Sequence, residues 1–366
     1  MYQKIGILTH YYRSANYGGV LQSYALCKYL NDRGTEAKQL CYDASVKRSS
    51  LLGKLKLLAH RCLALSRRAA HPAAAAQIRR RKKAFVVFRE AIPHTNQVYT
   101  YKNIREANRF FDAFVTGSDQ VWHPSVINEG YLLSFSTKPK FSYAASVACD
   151  RIPEDRLPVY QAALGSFSAV SVRERTAQAL LPVQARLVLD PVFLLSDREW
   201  RQTATERLVQ EDYVFCYFLG DSTEAREAAA KFAENKRLKL VNIPYLKDSY
   251  RACDEGFGDC TPSEVSPRDF LSLVLHASYV FTDSFHAICF SFLFQRQFFV
   301  FGRETKANSG SRISDILLTL DLEDRYFPHP AEVLRNHRVI DYGAPRPALE
   351  ALKQSSVSFV SLMLEG

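Results

Sequence analysis

The chain has 366 residues, enough for two domains of ordinary size with a core in each. Apolar residues make up 47% and charged residues 23%, which excludes a disordered chain, and the longest apolar run, from Ala287 to Phe294, is far shorter than a membrane span. The net charge of +10 is uneven: thirteen Lys and Arg and no Asp or Glu fall between Ala44 and Arg89, leaving 35 basic against 38 acidic residues elsewhere.

In chain order, Met1-Tyr2-Gln3-Lys4 leads into the strand-like Ile5–Leu8 without an apolar leader or cleavage site, so a cytoplasmic chain is expected. A loop with Thr9, His10 and Asn16-Tyr17-Gly18-Gly19 follows, then a helix from about Val20 to Arg33, stopped by Gly34. Ala37–Tyr42 reads as the next strand. In the basic segment, Leu51, Leu55, Leu58, Cys62 and Leu65 follow a helical stripe, with Lys54, Arg61 and Arg68 on another face. Two readings stay open for it. The helix packs its leucines on the domain and keeps its charges in water, or the region of about 51–83 lies on an anionic membrane surface. Aromatic residues are not interleaved with the charges as a stacking platform requires, so no nucleic-acid partner is expected.

Further strands are predicted at Phe111–Thr116, Phe141–Ala145, Ala169–Val172 and Leu187–Leu189, the last running into Asp190-Pro191, where the chain passes between domains. A second series holds Tyr213–Leu219, a helix from about Thr223 to Lys236, Lys239–Ile243, Tyr279–Thr282 and Phe298–Phe301. This alternation predicts an α/β fold with parallel sheets covered by helices on both faces, in two units that face a cleft. The expected division is 1–193, with a basic helical insertion at about 45–90, then 194–340, then a helix in 341–366 crossing back onto the first domain. Eight scattered cysteines without a Cys-x-x-Cys pair predict reduced thiols and no zinc site.

Residues suited to chemistry cluster where strands end. Val280-Phe281-Thr282-Asp283-Ser284-Phe285-His286-Ala287-Ile288 reads as a strand that turns straight into an apolar helix, a junction that offers free N–H groups to an anion, with His286 as proton donor. Asn16, Tyr17 and Gly18 form either a helix-capping loop or one that a ligand approaches closely. This is not a dinucleotide or P-loop fingerprint. Ser118 and Asp119 can cap a helix, whereas Gln120 and Trp122 suit a sugar's hydroxyls and apolar face. Arg173, beside Glu174, is either half of a structural pair or a clamp for a carboxylate or phosphate. Arg303 and Arg312 are candidates to complete an anion site, and Arg325 reads as ordinary surface pairing.

Six segments in order resemble the polysaccharide pyruvyl transferases: Asn16-Tyr17-Gly18-Gly19-Val20-Leu21-Gln22, Gly117-Ser118-Asp119-Gln120-Val121-Trp122, Ser171-Val172-Arg173-Glu174, Asp190-Pro191, Thr282-Asp283-Ser284-Phe285-His286-Ala287, and the run from Arg312-Ile313 to Leu322-Glu323-Asp324-Arg325. The resemblance implies two Rossmann-like domains arranged as in GT-B glycosyltransferases, with the active site between them. It implies transfer of pyruvate from phosphoenolpyruvate to a sugar as a cyclic ketal, with no metal or organic cofactor. It makes His286 the acid catalyst and Arg173 an arginine for the donor, with Ser284, Phe285, Arg303 and Arg312 beside it. Some members carry an arginine two residues before that histidine where this chain has Ser284, so Arg303 or Arg312 substitutes, or the donor differs.

The chemistry needs a proton acceptor for the sugar hydroxyl, for which Glu174 and Asp119 are the candidates. Asn16, Tyr17, Gly18, Ser118, Gln120 and Trp122 are expected on the acceptor side. The resemblance implies a surface glycan or its lipid-linked precursor as the expected acceptor. The alternatives are a glycosyltransferase using a nucleotide sugar, which shares the gross architecture, and a non-catalytic glycan- or membrane-binding protein.

Overall fold

The computed structural model describes residues 2–46, 72–245, 251–303, 310–335 and 338–365. The leucine stripe of 51–65 lies outside the described residues.

The first half opens with β1 (Lys4–Leu8), α1 (Tyr17–Asn31) and β2 (Glu36–Tyr42). After α2 (Pro72–Glu90) come β3 (His94–Tyr99), β4 (Ala113–Thr116) and β5 (Lys140–Ser142). These five strands form a parallel sheet in the order β3-β2-β1-β4-β5. Its central strands are apolar nearly throughout, as a sheet covered on both faces demands: Ile5, Ile7 and Leu8 in β1 and all of β4 are buried. Past α3 (Leu157–Leu164), the short pair β6 (Ser171–Val172) and β7 (Arg186–Leu187) continues the sheet, with α4 (Arg175–Leu180) between them.

The second half begins after α5 (Asp197–Thr203) with β8 (Tyr213–Tyr217), α6 (Thr223–Lys236), β9 (Lys239–Asn242), α7 (Pro267–Leu275), β10 (Tyr279–Thr282), α8 (Phe285–Leu293) and β11 (Gln297–Phe301). With α9 (Gly310–Leu320) and β12 (Tyr326–Phe327) it makes a second parallel sheet, β12-β11-β10-β8-β9. The last helix, α10 (Pro347–Glu365), returns to the first half as expected. Its Ser356 hydroxyl accepts from Leu189 N–H, Phe359 packs on Tyr143, and Leu364 carbonyl accepts from Tyr2 N–H.

Three differences from the sequence expectation bear on the site. The first helix starts at Tyr17 and not Val20, because Asn16 caps it: its side-chain oxygen accepts from Gly19 N–H at 3.0 Å. Second, Tyr17 is no cleft residue. It is buried, stacks on Phe270 at 4.7 Å, meets Phe85 of α2 at 4.8 Å and donates its hydroxyl to Val265 carbonyl, so it joins the halves. Third, the basic segment is not wholly a solvated face. Arg81 is buried and donates to Pro244 carbonyl, and Arg89 donates to Ser14 carbonyl. Arg79, Arg80, Lys82 and Lys83 are exposed. Arg325, expected at the surface, is buried under Phe299 and donates to Arg338 carbonyl.

Candidate active site

The carboxyl ends of both sheets converge where the halves touch, the usual ligand position in open parallel sheets. The first half brings His10 past β1, Ser118 and Asp119 past β4, Arg173 and Glu174 past β6, and Asp190 past β7. The second brings Asp283–His286 at the β10–α8 junction, Arg303 past β11 and Arg312 in the first turn of α9.

Gly18 lies close against His286 across the halves. A Cβ on Gly18 would fall 1.9 Å from the imidazole Nδ1, so only glycine lets the first turn of α1 meet that ring. Two helix starts therefore face each other. In α1, Asn16 satisfies Gly19, and the N–H groups of Tyr17 and Gly18 have no partner within the helix. In α8, Ser284 stands at the N-cap but makes no side-chain capping bond. Both ends carry partial positive charge, which favours an anion between them. Gly18→Ala is expected to displace the His286 ring and lower turnover about 100-fold, the scale of an ångström's misplacement of a catalytic group. Wild-type turnover in that variant would show that the contact does not position the ring.

Arg173 is the hub of the first half's contribution. Its side chain is fully buried and its Nη1 donates to Asp190 Oδ2 at 2.5 Å. Nη2 lies 3.5 Å from Asp119 Oδ1, Nε lies 3.6 Å from Glu174 Oε1, and the guanidinium sits 4.5 Å above the Phe285 ring. His286 Nε2 is 3.6 Å from the same Asp190 oxygen, beyond hydrogen-bond length, and has no hydrogen-bond partner. Burial alone would raise Asp190, but the charges of Arg173 and His286 hold it down to about 2. Asp119 is likewise buried, yet contact with His10 and the Arg173 charge hold it well below the usual carboxylate range.

Arg312 offers a second, freer guanidinium. It is buried, its Nε has no hydrogen-bond partner, and Gln120, with its carboxamide oxygen turned toward it, accepts from Nη1 and Nη2 at 2.7 Å each. Burial and the nearby Arg173 charge lower it to about 10, so it is cationic at neutral pH.

Several expected ligand contacts are replaced by interior ones. Trp122 is fully buried and donates its indole N–H to Tyr131 carbonyl, so it presents no face to a sugar. Ser118 is buried, its hydroxyl donating to Ala144 carbonyl and lying 3.0 Å from Asp190. Arg173 is no free clamp, because three carboxylates surround it. Phe285 is the floor under that guanidinium, and buried Ser284 donates its N–H to Thr282 Oγ1. Arg303 is turned back on Asp283 carbonyl through Nε at 2.9 Å. Asp283 in turn accepts from Leu219 and Gly220 N–H at 2.7 Å, fastening the β8 loop. Glu174 is buried and receives the Ser146 hydroxyl. Asn16 is exposed at the cleft rim but its oxygen serves the helix cap. The residues that join the site without an expected role are His10, Ser146 and Asp190; Asp190-Pro191 read as a crossing point, and nothing local marks its carboxylate as a ligand of Arg173. Among the described residues no cluster of His, Cys, Asp and Glu is arranged to hold a metal ion.

Two Rossmann-like halves with polar groups converging from facing strand ends define the GT-B-like class of α/β proteins. Solved structures agree on the fold. The UDP-GlcNAc 2-epimerase of Methanocaldococcus jannaschii in complex with UDP-GlcNAc and UDP superposes with a TM-score of 0.54 at 10% identity, covering 99% of both chains. That of Rickettsia bellii gives 0.50 at 10% identity, covering 100% of this chain and 97% of the other. No curated protein sequence matches the chain. The family model for polysaccharide pyruvyl transferase matches residues 16–305, and the chain belongs to that family.

Proposed function

We propose that the protein transfers a pyruvyl group from phosphoenolpyruvate to two hydroxyls of a surface glycan or its lipid-linked precursor, forming a cyclic ketal. The observation that carries this reading is the meeting of two helix starts at His286, whose Nε2 makes no hydrogen bond, with the buried Arg312 cation reaching Gln120 of the facing half. A small donor with both a phosphate and a carboxylate needs several cationic or N–H donors around it, and a proton donor at its methylene carbon.

In the proposed reaction His286, as imidazolium, protonates the methylene carbon of the donor. The central carbon becomes electrophilic, and one sugar hydroxyl adds to it with loss of its proton. The carbon–oxygen bond to phosphate then breaks, and the second hydroxyl closes the ketal. Arg312 and the helix starts hold the donor's oxyanions, and Arg173 keeps Asp119 and Asp190 ionised and in place. No separate cofactor enters this scheme.

The direct test is phosphate release from phosphoenolpyruvate across free, nucleotide-linked and lipid-linked sugars. Release that requires one acceptor class supports the reading. Stabilisation by a nucleoside diphosphate with no release from phosphoenolpyruvate overturns it in favour of a nucleotide-sugar transferase; saccharide binding without turnover overturns it in favour of a binding protein. Arg312→Ala is expected to raise KM for the donor about 10- to 100-fold, the scale of a lost charge-assisted bond, with a smaller change for the acceptor. Equal changes for both substrates would remove Arg312 from the donor site.

A lipid-linked acceptor also fits the exposed Arg79, Arg80, Lys82 and Lys83 on α2, which would meet an anionic membrane from the cytoplasmic side. Among the described residues no helix is long and apolar enough to cross a membrane. Replacing those four by glutamine is expected to abolish co-sedimentation with anionic vesicles at low salt; equal sedimentation of variant and wild type would exclude this face.

A further inference from the structure

The ketal reaction needs a group that takes protons from the acceptor hydroxyls, and the two carboxylates expected for it are poorly placed. Glu174 lies buried behind Arg173 and already receives the Ser146 hydroxyl. Asp119 is buried, faces Arg173 through one oxygen, and is held ionised far below the range in which a carboxylate accepts a proton at neutral pH.

In front of Asp119 stands His10, at the carboxyl end of β1. Its Nδ1 lies 3.6 Å from Asp119 Oδ2, and its side chain is 28% exposed, open to the cleft where Asp119 is not. The ring edge rests on Tyr131, with centroids 5.1 Å apart and planes at 75°. Asp119 is itself fixed. Its backbone is left-handed, at φ +66°, its carbonyl accepts from Ser146 and Val121 N–H, and Arg173 holds its second oxygen. Gly19 closes the side: a Cβ there would stand 3.2 Å from Asp119 Oδ2 and 3.5 Å from His10 carbonyl. Gly18, the next residue, touches His286. The first turn of α1 thus separates two imidazole–carboxylate pairs, His10 with Asp119 and His286 with Asp190.

We propose that His10 is the catalytic base for the acceptor, oriented by Asp119, and that it works across the first turn of α1 from His286, the acid. This rests on the pyruvyl-transfer reading above. A carboxylate facing Nδ1 favours the tautomer with the proton on Nδ1 and leaves Nε2 as the acceptor. Each carbon–oxygen bond formed to the donor's central carbon releases one hydroxyl proton to Nε2 of His10. The first is passed to the phosphate oxygen as its bond to carbon breaks. The second leaves to solvent, which restores to His286 the proton that it gave to the methylene. The sum is one phosphoenolpyruvate and one diol to one ketal and one hydrogen phosphate, with no oxidant or reductant. The groups facing His10 are the Asp119 carboxylate, with Arg173 behind it, and the Tyr131 ring.

The test uses the full chain in a phosphate-release assay with phosphoenolpyruvate and an active acceptor. His10→Gln, which keeps a polar side chain of similar reach but no basic nitrogen, is expected to lower kcat about 100-fold or more, with KM for the donor within threefold. Added imidazole is expected to restore part of the activity of His10→Ala and none of that of His286→Ala. Wild-type turnover with His10→Gln within tenfold of it overturns the role alone; no release by the wild type with any acceptor overturns the pyruvyl-transfer reading, and the role with it. A readout that needs no substrate is the 15N shift of labelled His10: a neutral ring protonated on Nδ1 in the wild type, and not in Asp119→Ala, supports the dyad, while an Nε2-protonated ring in the wild type overturns it.

Discussion

His286→Gln is expected to lower turnover about 100-fold or more and to leave the thermal midpoint nearly unchanged. The first expectation follows from what the ring alone supplies. General acid catalysis is worth about 100- to 10,000-fold, and a carboxamide has no proton to give a carbon atom near neutral pH. An imidazolium also adds positive charge beside a donor that the carboxylates of Asp119 and Asp190 would otherwise repel. The second expectation follows from size and partners. The ring fills a buried position against Gly18, but its Nε2 makes no hydrogen bond, so the variant loses no buried bond and keeps a similar volume. Turnover and calorimetry on the same preparation separate the two. A loss of activity accompanied by a fall of many degrees in the midpoint would make His286 a structural residue and sink its assignment as the acid.

Much of the fold was legible because it is written locally. Tyr279–Thr282 is apolar on both faces and runs into an apolar helix, which is what a central parallel strand and its crossover require. The last helix, from Pro347, falls inside the 341–366 segment where the sequence placed it. Other elements left signals that went unread. Ser266-Pro267 with Asp269 is a capping box with proline in the first turn, and it opens α7. β3 is an edge strand of mixed polar and apolar residues, His94-Thr95-Asn96-Gln97-Val98-Tyr99, and lacks the apolar run of the inner strands. The alanine-rich start of α2 is a helix signal of its own, since alanine is the strongest helix former.

The site was legible by position and not by role. Every strand end that looked polar does reach the junction of the halves. Which side chain faces the cleft depends on long-range approach. Arg173 and Arg312 look alike in sequence, but two carboxylates distant in the chain, 54 and 17 residues away, join neighbouring Glu174 around the first, and the second is left to Gln120. Trp122 beside Gln120 has the look of a sugar platform until Tyr131 carbonyl captures its N–H in the core. His10 gave only a weak hint, a lone histidine after a strand. Its meaning appears when the turn after β4 places Asp119, 109 residues downstream, beside it.

Arg173→Ala is expected to cost about 3–5 kcal/mol of folding stability, the usual scale when one partner of a buried ion pair is removed. The cause is what stays behind. Asp190 keeps Val192 N–H, the Ser118 hydroxyl and the His286 ring at 3.6 Å, but loses its closest cation, and Asp119 and Glu174 lose the same guanidinium in the same interior. Truncation also opens space above the Phe285 ring. The pH dependence gives the sharper check. Asp190 is depressed from 3.8 to about 2 in the folded protein. A depressed carboxyl contributes stability that is fully present above its unfolded value and is lost as pH falls through its folded value, so this contribution, roughly 2 kcal/mol, disappears between about pH 4 and pH 2. Asp119 is shifted in the same direction and adds to the same loss. Without the guanidinium, burial is opposed on Asp119 mainly by His10 and on Asp190 mainly by His286, and both carboxyls rise toward their unfolded values. The folded and unfolded values then lie closer together, so the acid-sensitive part of the stability curve flattens in Arg173→Ala while the plateau near neutral pH falls. Urea unfolding of wild type and variant from pH 3 to pH 7 measures both changes. A variant curve parallel to the wild type and less than about 1 kcal/mol below it would mean that Asp119 and Asp190 do not depend on Arg173 for their charge.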